Sequence, residues 1–157
     1  MIQKLNLETE WSDVKVAIVA AKWNSFVTDP MTEGAIDALK AKGIPENQIL
    51  LVRCPGAFEL PLAVKNVLDN RKVDGVVAIG AVIRGDTPHF DYVCDAVTRG
   101  IMDLNMNYSK PVAFGVLTTD NVEQAVKRAS IEHGNKGAEA ALAMCDMISI
   151  EVGTKRV

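Results

Sequence analysis

Four short apolar runs, VKVAIVAA (14–21), QILLVR (48–53), VDGVVAIGAVI (73–83) and PVAFGVLTT (111–119), recur along the chain, each followed by a segment of helical periodicity. Runs of this length, rich in β-branched residues and lacking a polar alternation, read as strands buried on both faces. Strands that alternate with helices form right-handed crossovers, which feed a parallel sheet covered by helices on both sides. The pattern therefore predicts a three-layer, doubly wound α/β fold built on a four-stranded parallel sheet. At 157 residues the chain supports one such domain with a substantial core, over 1–157.

The helix signals are of unequal quality. After the first strand, Asp29 as N-cap and Pro30 at the first helical position predict a helix start. Met31, Ala35, Ile36 and Leu39 continue it at helical spacing, and Gly43 with Pro45 beyond closes it. FELPLAVKNVLDN (58–70) is a helix in which Pro61 is tolerable only near the first turn. HFDYVCDAVTRGIMDLNMNYS (89–109) is a long helix, opened by Thr87 as N-cap with Pro88 behind it. DNVEQAVKRAS (120–130) presents Val122, Ala125, Val126 and Ala129 as its apolar face, and KGAEAALAMCDMISI (136–150) is the last helix. Residues 1–12 belong to no strand–helix unit. IQKLNL within them alternates well enough to add a strand to a neighbour's exposed sheet edge, which makes this segment an expected inter-subunit arm.

Composition narrows the function classes. With 48% hydrophobic residues, 24% charged residues and a net charge of −3, nothing marks a nucleic-acid surface, a basic membrane face or a disordered tail. No signal-peptide core and no apolar run near the roughly 18 residues of a membrane span is found, so a cytoplasmic protein is expected, with neither nucleic acid nor membrane as partner. Cys54, Cys94 and Cys145 are odd in number and far apart, which argues against a disulfide framework and a zinc site; they are expected to be buried thiols. No metal ligand set is read.

In doubly wound sheets ligands bind beyond the carboxyl ends of the strands. Trp23 and Asn24, Gly56 to Glu59, Arg84 to His89 and Thr118 to Asn121 all fall there. The third of these stretches belongs to GAVIRGDTPHF (80–90), which has the glycine spacing of a P-loop but Asp86 and Thr87 where the loop's Lys and Ser or Thr would stand. Without the lysine it does not suit a nucleoside triphosphate, whereas backbone N–H groups at the start of a helix suit a small monophosphate. His89, in the first helical turn beside that position, has the chemistry of a proton shuttle, although a lone histidine is more often a surface or capping residue than a catalyst. Arg128 lies off the apolar stripe of its helix, as a solvated arginine or as a phosphate clamp supplying the missing charge. Glu59 and Lys136 are open to the same two readings, structural charge or hydrogen-bonding partner of a polyol or heterocycle. Trp23 and Phe58 stand at the crevice mouth, as core residues or as stacking faces for a planar ligand.

KWN (22–24), PGAFELP (55–61), GAVIRGDTPHFDYV (80–93), PVAFGVLTTDNVEQAVKR (111–128) and GNKGAEAA (134–141) together resemble the signature blocks of the 6,7-dimethyl-8-ribityllumazine synthase family. The likeness runs over essentially the whole chain; Trp23 departs from it, many members carrying phenylalanine there. It implies a flavodoxin-like fold and condensation of 5-amino-6-(D-ribitylamino)uracil with 3,4-dihydroxy-2-butanone 4-phosphate, releasing phosphate and water, with no cofactor and no metal. It further implies His89 as proton carrier, with Gly85, Asp86, Thr87 and Arg128 at the sugar phosphate. Trp23, Ala57, Phe58, Glu59, Ala81, Val82, Ile83, Phe114 and Lys136 would then surround the ribitylaminouracil. Members assemble as homopentamers, some as icosahedral 60-subunit shells, and the resemblance implies active sites shared between subunits. A non-catalytic flavin-binding or shell-forming protein of the same fold is the alternative.

Overall fold

A computed structural model of the chain describes residues 1–156. The strands are β1 (Val16–Ala21), β2 (Ile49–Cys54), β3 (Gly75–Ile83) and β4 (Val112–Thr119), and the helices α1 (Ser25–Lys42), α2 (Leu60–Asn70), α3 (His89–Tyr108), α4 (Val122–Ala129) and α5 (Lys136–Lys155). All strand pairs are parallel, in the order β2-β1-β3-β4. The alternation read from the sequence thus gives the expected three-layer, flavodoxin-like fold.

The period of two along β1 divides the core. Val16, Ile18 and Ala20 point into a layer shared with α1, α4 and α5, while Ala17, Val19 and Ala21 point into the layer covered by α2 and α3. Every residue of β1 is buried, as a central parallel strand requires. Among the described residues, no helix is long and apolar enough to cross a membrane.

Two helix starts differ from the sequence reading. α1 begins at Ser25, so Pro30 lies inside the helix and Asp29 caps nothing, its carboxylate instead pairing with Arg53 at 3.0 Å. Pro30 has no N–H to offer the preceding turn, which removes one helical bond. Tertiary packing outweighs that loss: Val27, Thr28, Met31 and Thr32 are wholly buried, and Thr28 Oγ1 donates to the Ala21 carbonyl at 2.8 Å. α3 begins at His89, with Pro88 in the cap position and no side-chain capping bond, so Thr87 is not its cap. Pro88 has helical φ (−69°) but ψ of 3°, and this moves the start one residue on.

Three smaller expectations change as well. α4 buries only Ala125 and Ala129; Val122 and Val126 remain 50% and 46% exposed, because this short helix rests its alanine side on α1 and β4. Cys54 and Cys145 are buried, whereas Cys94, on α3, is partly exposed. Residues 1–10 form neither helix nor strand. Residues 6–9 lie against the end of α5, where Arg156 donates to the carbonyls of Asn6 (3.2 Å) and Glu8, and the Thr9 and Ser149 hydroxyls pair at 2.9 Å.

Asn135 fixes α5 against α1. Its Oδ1 accepts from the Gly137 and Ala138 amides at 2.9 and 3.1 Å, capping α5, while Nδ2 donates to the Pro30 carbonyl at 2.9 Å. The helices meet so closely that a Cβ on Gly137 would stand 2.0 Å from the Met31 carbonyl oxygen. Gly137→Ala is therefore expected to lower stability by about 1–3 kcal/mol, as overpacking against backbone does. Gly85→Ala, where nothing lies within 4 Å, should stay within about 0.5 kcal/mol; urea midpoints of the two variants check both. Burial pushes the Cys145 thiol up to about 11, so in native protein near pH 8 a thiol reagent should label the partly exposed Cys94 first and Cys145 only on unfolding.

Candidate functional site

The strand order reverses between β1 and β3, and there the sheet opens. β1 pairs with β3 only as far as Ala20 opposite Ile79, while β3 continues beside β4 to Ile83 opposite Thr119. Gly80 to Ile83 therefore have no β1 partner, and the turns after β1 and β2 fold around the gap. Trp23 N–H donates to the Pro55 carbonyl at 2.9 Å, joining those turns. Asn24 takes a left-handed conformation (φ 60°), which an asparagine tolerates, and its Nδ2 donates to the Ala81 carbonyl at 3.1 Å.

The result is a cleft of about 580 Å³ lined by Trp23, Asn24, Ala57 to Glu59, Ala81 to Ile83, His89, Tyr92 and Val93. Trp23 and Phe58 are 62% and 61% exposed, large aromatic faces turned outward rather than into the core. Glu59 performs a structural task here: its Oε2 accepts from the Gly56 N–H at 3.1 Å, closing the short turn Ala57–Glu59 that precedes α2. Below the turn, burial first and the Glu59 carboxylate second push the Cys54 thiol pKa up, which keeps it protonated and unreactive. Tyr92 and Val93 were not singled out by the sequence reading. Their spacing of three and four from His89 puts all three on one helical face, and that was the available signal.

His89 opens α3 at the rim of the cleft, and the loop before it is exposed throughout. Arg84, the loop's own cation, is already engaged: Nε donates to Asp120 at 3.0 Å, Nη1 to Asp91 at 3.5 Å, and the guanidinium lies 4.3 Å from the Phe90 ring centre. The hydrogen bond to Asp120 holds the Arg84 pKa above its usual value. An anion at Gly85 to Thr87 must therefore find its counter-charge elsewhere. Gly85 has open space where a side chain would be.

Phe114, Arg128 and Lys136 are not in this cleft. They line a second one, of about 420 Å³, on the edge strand β4 between α4 and α5, with Thr118 and Glu139. Phe114 is 43% exposed. Among the described residues, Arg128 makes only a long contact, 3.4 Å, to the Gln124 carbonyl of its own helix, and Lys136 pairs with Glu139 at 3.1 Å. The residues expected to form one site thus fall into two groups on different parts of the surface. Among the described residues, no cluster of three or more His, Cys, Asp or Glu side chains could hold a metal ion.

A comparison with known protein families bears on both clefts. The family model described as 6,7-dimethyl-8-ribityllumazine synthase matches residues 13–151. The match takes in all four strands, every residue of the two clefts and the loop between β3 and α3, and leaves out the first twelve residues. On this evidence the chain belongs to the 6,7-dimethyl-8-ribityllumazine synthase family.

Proposed function

We propose that the protein condenses 5-amino-6-(D-ribitylamino)uracil with 3,4-dihydroxy-2-butanone 4-phosphate to give 6,7-dimethyl-8-ribityllumazine, inorganic phosphate and two waters, in a site formed by two copies of the chain. The observation that carries this reading is the division of the expected site residues: a cleft with His89 at its rim, and a separate cleft holding Arg128 and Phe114. A second copy that sets its β4 edge against the first cleft would supply both groups at once. The exposed Phe114, Val122 and Val126 around that edge fit a surface covered on assembly. A pentamer satisfies the requirement, with the arm to the next subunit drawn from residues 1–5, since residues 6–9 of the expected 1–12 arm lie on the chain's own α5; the closed 60-subunit shell is compatible with it.

In this arrangement the uracil ring stacks on Trp23, and its edge meets the backbone of Ala81, Val82 and Ile83. Ala57, Phe58 and Glu59 hold the ribityl chain, and the second copy's cleft adds Phe114 and Lys136. The butanone phosphate sits at Gly85, Asp86 and Thr87. Because Arg84 is committed to Asp120 and Asp91, the dianion takes its counter-charge from Arg128 of the second copy. Chemically, the 5-amino nitrogen attacks the ketone carbon, and water leaves to give a Schiff base. Loss of a proton from the neighbouring carbon then expels phosphate. The resulting enol tautomerises to a ketone, and the ribityl-bearing nitrogen closes the ring on its carbonyl carbon with loss of the second water. Each stage moves a proton over a short distance, which is the work of an exposed imidazole at the rim, His89. No step calls for a cofactor or a metal. A cytoplasmic enzyme with two small-molecule substrates fits the net charge of −3.

The direct test mixes the purified protein with both substrates and follows lumazine fluorescence together with free phosphate. Equal amounts of the two products support the reading; binding of the product without turnover would point to a flavin-binding or shell protein instead. Arg128→Ala should weaken the butanone phosphate about ten- to a hundredfold, the worth of a charge-assisted hydrogen bond, with the uracil substrate little changed. Equal loss for both substrates in titration calorimetry would contradict that assignment. His89→Ala should bind both substrates normally and turn over roughly a hundredfold more slowly, at the low end for acid–base catalysis. Unchanged turnover in a folded variant removes His89 from the mechanism.

A further inference from the structure

Gly56 adjoins the first cleft, yet nothing about its backbone asks for glycine. Its φ of −148° and ψ of −173° are extended and open to any residue. The peptide is held firmly: its N–H donates to Glu59 Oε2 at 3.1 Å, and its carbonyl accepts from the Glu59 amide at 3.2 Å and from Cys54 Sγ at 3.6 Å. What a side chain would meet there is the indole of Trp23. An added Cβ would stand 2.3 Å from Cε3, 2.8 Å from Cζ3 and 3.2 Å from Cδ2, all three nearest atoms belonging to that one ring.

The contrast with Gly137 is informative. There the obstacle is a backbone carbonyl, and the fold must give way; at Gly56 it is the outer part of a side chain that is mostly exposed, and only the indole needs to move. The Trp23 backbone cannot follow, since its N–H donates to the Pro55 carbonyl at 2.9 Å and the Lys22 N–H to that of Cys54 at 2.8 Å. The ring therefore rests against Gly56 and turns the rest of its surface to the cleft.

We propose that Gly56 is a positioning residue: its bare α-carbon seats the Trp23 indole at the wall of the cleft and so sets the gap into which a planar uracil ring fits. The identity of that ring rests on the function proposed above; the seating of the indole does not. A Cβ at residue 56 swings the indole into the cleft, narrows the gap and spoils the stacking face, while the sugar-phosphate position is untouched.

The test uses a Trp11→Phe background, so that Trp23 is the sole indole of the two in the chain. Gly56→Ala in this background should retain far-UV circular dichroism but change the near-UV spectrum and the acrylamide quenching of Trp23. Its affinity for 5-amino-6-(D-ribitylamino)uracil should fall about two- to tenfold, the scale of one aromatic stacking contact, with that for the butanone phosphate unchanged. In a Trp23→Ala background the same Gly56→Ala change should cost no further affinity, because the two residues act through one contact. Unaltered indole signals in a folded Gly56→Ala protein, or an equal loss of affinity in both backgrounds, would overturn the proposal. If Gly56→Ala alone does not fold, the Gly56→Ala/Trp23→Ala pair decides: restored folding supports the contact, and continued misfolding makes Gly56 merely structural. Absence of uracil binding by the parent protein would count against the proposed reaction, and the indole signals would still decide the seating.

Discussion

The structure depends on the central parallel pair β1 and β3 being buried on both faces and unequal in length. Burial fixes the register, since a one-residue slip would exchange the two core layers along β1. The inequality creates function: β3 runs on from Gly80 to Ile83 after β1 has turned away. The turn after β1 must leave the sheet there, and it is tied back by Asn24 to Ala81 and by Trp23 to Pro55. The cleft is thus a consequence of strand order, and Trp23 on its wall is fixed by its backbone hydrogen bond to Pro55 while its ring stays mostly exposed.

A second organising contact lies on the opposite face of the sheet. Asn135 caps α5 and reaches across to the Pro30 carbonyl, and Gly137 allows the two helices to approach to backbone contact. Lys136, between those two residues, opens α5 at the second cleft, and Pro30 is carried inside α1 at the loss of one helical bond. The apparent fault in α1 and the position of Lys136 are therefore products of one close packing.

The strands were legible in the sequence because each is a β-branched apolar run bounded by turn residues, and their parallel order followed from alternation with helices. The start of α1 was not, because the strong local signal of Asp29 and Pro30 competes with long-range burial of Val27 and Thr28, which no local pattern reveals. Val122 and Val126 kept helical spacing with Ala125 yet face outward, since periodicity gives a stripe but not which part of it a short helix can bury. The composition of the first cleft was readable from strand ends together with family resemblance. Its separation from Arg128 and Phe114 was not readable from the strand pattern, because Phe114 lies early in β4 and Arg128 on α4, and alternation alone does not say that β4 is an edge strand with that side open.

That separation makes the account testable in one measurement. His89→Ala and Arg128→Ala proteins, each of low activity alone, are dissociated, mixed and reassembled, and the activity of the mixture is compared with that of each variant treated in the same way. Sites formed by two copies predict recovered activity, because some interfaces then pair an intact His89 with an intact Arg128. No recovery in oligomers confirmed to be mixed would mean that each chain carries a complete site, and would contradict the division between the two clefts on which the proposed mechanism stands.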